Sequence, residues 1–151
     1  MRITTVLPAL FLVLAMSSSA WVQDKGKPNP TKAEMKKFQG KWKAAEITIN
    51  GASLDPNVVS KTFNIIEGKK YVISVNGNEV NGTFKLNADK EPFEIDAVYT
   101  ANNNEVRIDG IYKWDNGRRI VCFGLPNVVR PSEFRKDNNY LYMEWIPVKS
   151  D

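Results

Sequence analysis

Between Lys41 and Val148 the chain repeats one device eight times: a short run of aromatic and β-branched residues, ended by residues that turn sharply. The runs cover 42–49, 62–66, 71–75, 79–86, 93–100, 105–114, 119–124 and 140–148. Residues of this kind fit a pleated, half-buried surface. Asn76-Gly77 and Asn116-Gly117 supply the positive φ that a two-residue hairpin turn needs. Glu67-Gly68-Lys69 and Asn102-Asn103-Asn104 serve the same purpose less specifically. Asn81-Gly82 falls inside a run, where a β-bulge is expected. Eight short strands joined mainly by hairpins predict an all-β, antiparallel up-and-down sheet.

Alternation gives that sheet two faces. In the sixth run Val106, Ile108, Tyr112 and Trp114 point one way, and Arg107, Asp109 and Lys113 the other. In the fifth, Ile95, Ala97 and Tyr99 oppose Glu94 and Asp96. A closed barrel and a sandwich both satisfy this pattern, and closure would also remove exposed sheet edges. Two connections depart from simple hairpins. Asp55 and Pro56 suit the cap and first position of a short helical turn. The segment from Leu125 to Asn139 is long and polar, as functional loops often are.

Ahead of the strands, Thr31-Lys32-Ala33-Glu34 reads as a capping box opening a short N-terminal helix through about Phe38, with Gly40 ending it. Residues 1–20 read as a secretory signal peptide: Arg2, an apolar stretch from Ile3 to Met16, then Ser18 and Ala20 at the cleavage site. The stretch is shorter than the ~20 apolar residues of a spanning helix and contains Pro8. No stable membrane anchor is therefore expected, and the protein is expected to be exported, to the periplasm or outside the cell. Residues 21–30 are polar and rich in Pro and Gly, a disordered lead-in, leaving 31–151 as one domain. Cys122 is the single cysteine, so no internal disulfide can form, and its apolar run predicts a buried thiol. A net charge of +4 with basic and acidic residues interleaved gives no support to nucleic acid as a partner.

Gly40-Lys41-Trp42, a Gly-x-Trp opening the first strand after a short helix, is similar to the lipocalin signature. Further segments extend the likeness over nearly all of the domain: Phe38-Gln39-Gly40-Lys41-Trp42, Gly82-Thr83-Phe84-Lys85-Leu86 with Ile95-Asp96, Gly110-Ile111-Tyr112, Cys122 and Arg130-Pro131-Ser132-Glu133-Phe134. In this order they resemble the uncharacterised lipocalin-like domain family common in planctomycetal bacteria. The resemblance implies an eight-stranded lipocalin-like barrel and an exported protein, with no activity attached. It also implies that Trp42 closes the barrel base with a basic residue packed over it, for which Lys149 is the residue following the last strand. Lys113-Trp114-Asp115-Asn116-Gly117 departs from the family's usual hairpin.

The chain contains no histidine, which removes the commonest general base and zinc ligand. With one cysteine, no thiolate metal cluster can form, and no serine has a Gly-x-Ser-x-Gly setting. No cofactor, metal or enzymatic activity is expected. Glu94, Asp96 and Asp109 read as solvated surface carboxylates. Aromatics are the better functional candidates: Tyr71, Phe84, Tyr99 and Tyr112 would line a pocket holding a small, partly apolar molecule. A small eight-stranded barrel can equally be filled by its own side chains. Arg130, held extended before Pro131, is a candidate for an anionic head group at the mouth or for a surface ion pair, with Phe134 anchoring its loop. The alternative is a filled barrel that binds a protein partner through Trp114 and the loop from Leu125 to Asn139.

Overall fold

A computed structural model describes residues 29–149. The expected signal peptide at 1–20 and most of the expected lead-in at 21–30 lie outside the described residues. The chain runs α1 (Pro30–Phe38), β1 (Gly40–Ile49), β2 (Ala52–Ser53), α2 (Pro56–Ser60), β3 (Thr62–Glu67), β4 (Lys70–Val75), β5 (Asn78–Asn87), β6 (Phe93–Ala101), β7 (Asn104–Asp115), β8 (Arg118–Gly124) and β9 (Tyr140–Pro147). Every neighbouring pair from β3 to β9 is antiparallel and joined in sequence order. β1 pairs with both β3 and β9, which closes an eight-stranded up-and-down barrel. The two-residue β2 only folds back on the end of β1.

The turns obey the backbone chemistry of asparagine and glycine. Asn76-Gly77, Asn116-Gly117 and Asn102-Asn103 all take positive φ at both positions, the geometry whose twist matches the flanking strands. Asn50-Gly51 does the same between β1 and β2, a hairpin the sequence runs do not announce. Asn81-Gly82 differs from expectation: β5 passes through it in regular register on both sides. Gly82 is there for space. A Cβ would stand 2.3 Å from the Val98 carbonyl oxygen and 2.5 Å from the Tyr71 hydroxyl, because the Tyr71 ring crosses over this position. The bulge sits instead between Ala44 and Glu46, where β1 shifts register against β9.

Antiparallel order puts the turns at 68–69, 88–92 and 116–117 at one end of the barrel and those at 50–51, 76–77, 102–103 and 125–139 at the other. Helix α1 closes the first end. Its cap is Asn29 rather than Thr31: the Asn29 side chain accepts from the backbone N–H groups of Thr31 and Lys32, with Pro30 at the first position. Thr31 uses its hydroxyl to receive the Ala88 N–H, tying the helix to the closed-end loop. Glu34 turns inward as well, accepting from Trp114 Nε1 at 2.6 Å and pairing with Lys37 at 2.5 Å. Gln39 then clamps the β3–β4 turn through both of its amide atoms, to the Gly68 carbonyl and the Gly68 N–H. Phe38, nearly inaccessible, plugs the base against Phe84, Tyr112 and Trp114 at ring separations of 5.0–5.6 Å.

Two cores result. The larger fills the closed half of the barrel interior around Phe38, Trp42, Tyr112 and Trp145. The smaller lies outside the wall, where Ile111, Ile120, Cys122 and Tyr142 are covered by Phe134 and Tyr140. Residues 125–139 fold back over the barrel to make that cover, so every residue from Arg119 to Gly124 of β8 is buried on one face or the other. Cys122 is buried here, its thiol against the Arg135 carbonyl and pushed up by burial.

Candidate functional site

The upper half of the barrel interior is empty. A cavity of about 320 Å³ opens at the end opposite α1 and is walled almost wholly by aliphatic and aromatic side chains. Its rim includes Ile49, Val75, Val80, Leu125 and Leu141; its floor is set by Phe38, Trp145 and Arg119. That size lies at the small end of ligand pockets, which run from ~300 to 1,000 Å³.

Three of the residues singled out by sequence come together on this wall. Tyr71, Gly82 and Tyr99 stand in one row across β4, β5 and β6, and the missing side chain at Gly82 gives the Tyr71 ring its place beside Tyr99. Phe84 lies one inward position nearer the base, its ring 6.5 Å from that of Tyr71. Burial, and then the neighbouring Tyr99, push the Tyr71 hydroxyl up to about 12. It stays a neutral hydrogen-bonding group at any physiological pH.

The others sit elsewhere. Tyr112 is fully inaccessible beneath the cavity, wedged between Phe38 and Phe93. Phe134 is on the outer surface, capping the satellite core with Lys113 over its ring. Arg130 is also outside, not at the mouth. Its guanidinium donates to the Gly110 carbonyl at 2.6 Å, the Ile95 carbonyl at 3.3 Å and Asp96 at 2.6 Å, with Glu94 at 3.7 Å. Arg130 thus staples the loop to the wall, and Glu94, Asp96 and Asp109 are committed to it and to Arg107. Trp114 is half-buried against Trp42 and α1 rather than displayed for a partner.

Trp42 closes the base. It is buried, and its indole N–H donates to the Phe38 carbonyl at 2.8 Å. The basic residue over it is Arg119 of β8, with its guanidinium 4.4 Å from the Trp42 ring, 4.9 Å from Phe38 and 5.7 Å from Trp145. Lys149 is exposed. Arg119 is only 1 % accessible, and burial pulls its pKa down to about 9, so it remains charged at neutral pH. Among the described residues no carboxylate pairs with it, and its Nη1 has no hydrogen-bond partner. Two other buried side-chain atoms among the described residues lack a partner, the Tyr112 hydroxyl beneath the cavity and Oδ1 of Asn64, the cross-strand neighbour of Trp42. Arg119 and Asn64 both line the cavity.

Sequence reasoning missed both. Arg119, Val121 and Phe123 alternate with Ile120 and Cys122 and all three line the cavity, but with apolar residues on both faces of this run the alternation alone does not mark which face is inner. Among the described residues no group of three or more Cys, Asp and Glu side chains is gathered as a metal would require. Comparison with family models, curated proteins and solved structures returned no match.

Proposed function

We propose that this protein is an exported, non-catalytic binding module that carries a small, partly apolar molecule inside its barrel. The observation that carries the reading is the 320 Å³ apolar cavity, open at one end and plugged by α1 at the other. Folding leaves such apolar wall unfilled at a cost, because a void forfeits the packing contacts that a filled core would have. A ligand that fits restores them. The cavity favours this reading over a filled barrel that acts only through its outer surface, and the staple at Arg130 leaves the 125–139 loop a structural cover.

The likeness to lipocalin-like domains of planctomycetal bacteria supports the same assignment, with Arg119 taking the place over Trp42. The absence of histidine from the sequence supports binding rather than acid–base catalysis.

The test uses a small, neutral, largely apolar fluorophore matched to the cavity volume, 1-naphthylamine, titrated into the purified protein. Saturable fluorescence enhancement at a stoichiometry of one is expected. Ala97 lies on the wall, and Ala97→Phe fills the space opposite Phe84. It should abolish the enhancement while the far-ultraviolet circular dichroism stays that of the parent. Enhancement equal in both proteins would place the probe elsewhere and sink the reading.

A further inference from the structure

A buried arginine without a counter-ion is the most expensive side chain in this molecule. Charged groups leave water only when paired or hydrogen-bonded. The three rings around Arg119 answer part of its charge through their faces, but a ring face is no acceptor in the guanidinium plane. Nη1 is left with a proton directed at nothing. Of the two other unpartnered buried atoms, the one whose residue lines the cavity belongs to Asn64, whose backbone lies opposite that of Trp42, the residue on which Arg119 stacks. A half-turn of the Asn64 amide exchanges its carbonyl for its NH₂ and supplies a second donor there.

Resting on the reading that the barrel holds a small molecule, we propose that the ligand is a monocarboxylate with an apolar body, bound head-down with its carboxylate on Arg119 and Asn64 and its tail toward the rim. Among the described residues Arg119 is the only charged side chain lining the cavity, so a single negative charge satisfies the site and a second would stand uncompensated among aliphatic groups. Size follows from the volume. At the ~30 Å³ a water occupies in the liquid, 320 Å³ takes about ten non-hydrogen atoms. Depth agrees: Trp145 at the floor and Leu141 at the rim are four residues apart on β9, about 13 Å at 3.3 Å per residue. A straight chain of eight to ten carbons spans that distance. Tyr71 and Tyr99 on the wall add hydroxyls part-way up, where a carbonyl or hydroxyl on the tail would meet them.

The experiment is displacement of 1-naphthylamine from the purified protein by decanoate and by decan-1-ol, repeated with Arg119→Met. Decanoate is expected to bind at least tenfold more tightly than the alcohol, the size of effect a charge-assisted hydrogen bond gives. Arg119→Met should remove that preference, so that decanoate binds no more tightly than the alcohol, while Arg119→Lys should restore part of it. Equal binding of decanoate and decanol by the wild-type protein overturns the proposal without needing any variant to fold. So does binding of the fluorophore alone, with neither competitor displacing it; in that case the barrel still holds a small molecule, but not this class. If neither the fluorophore nor either competitor binds, the binding reading fails and this proposal with it.

Discussion

Replacing Arg119 by methionine should not appreciably destabilise the protein in the absence of ligand. An arginine in water titrates above about 12.5, so a pKa near 9 measures roughly 5 kcal/mol of lost hydration. The sign is fixed by protonation. Below pH 9 the guanidinium is charged in both folded and unfolded chains, so the whole cost falls on the folded state at neutral pH and fades only as the pH rises past 9. Against it stand the three ring contacts at 4.4, 4.9 and 5.7 Å. At about 1–2 kcal/mol each for a desolvated cation, they return about 3–6 kcal/mol. Methionine keeps an unbranched body of similar volume beside Trp42 and Phe38, and its sulfur also packs well on ring edges. The balance runs from a gain of about 2 kcal/mol, an increase of about 5–10 °C in melting temperature for a domain of this size, to a loss of no more than about 1 kcal/mol. Urea and thermal unfolding followed by circular dichroism, without added ligand, measure it. A loss of more than about 1 kcal/mol would refute the reasoning, because it would mean the guanidinium is fully satisfied where it stands and has nothing to offer a ligand.

Three further outcomes are expected. Gly82→Ala should cost about 2–3 kcal/mol in urea unfolding, since its Cβ meets the Val98 carbonyl oxygen at 2.3 Å and neither strand can retreat without breaking the row through Tyr71; a neutral result would show that the Tyr71 ring is not held there. Arg130→Met should cost a similar amount by removing the guanidinium from Asp96 Oδ1, from Glu94 and from two carbonyls, and should accelerate hydrogen exchange across residues 125–139. Unchanged exchange would show that Phe134 alone holds the loop. Tyr71 is expected to ionise only as the pH approaches about 12, so its stabilising effect is complete below about pH 10 and lost between the two values. Tyrosinate absorbance should therefore lag in the native protein and reach its full amplitude on unfolding, and equal native and unfolded titration curves would contradict the burial of this side chain.

The barrel is legible in the sequence because its strands need a solvated face over much of their length. Along β6 and β7 the outer positions are charged, so period two stands out and the inward set Ile95, Ala97, Tyr99 and Ile108 is read correctly. The turns are equally plain, since only glycine and asparagine enter the positive-φ region cheaply. Legibility ends at β8. Its outer face is roofed by residues 125–139, so inner and outer positions are both apolar and alternation carries no sign. An arginine at the start of such a run reads as the solvated edge of a strand, the ordinary place for it.

The same roof explains why Arg130 and Phe134 drew attention as candidates. Loop residues that anchor a cover to a barrel wall and loop residues that meet a ligand share one composition, a cation and an aromatic on a proline-stiffened turn. What distinguishes them is whether their polar atoms are already answered. Arg130 has carboxylates and carbonyls around it; Arg119 has three ring faces and an unused proton. No pattern of residue types encodes that difference, because it depends on which strands end up adjacent once β1 closes on β9. The closure brings Trp42 of β1, Asn64 of β3, Arg119 of β8 and Trp145 of β9 to one floor from widely separated parts of the chain. A site assembled by closure is visible only after the strands have been paired, and its signature is then energetic: a charge kept in an apolar cavity without a partner in the folded chain.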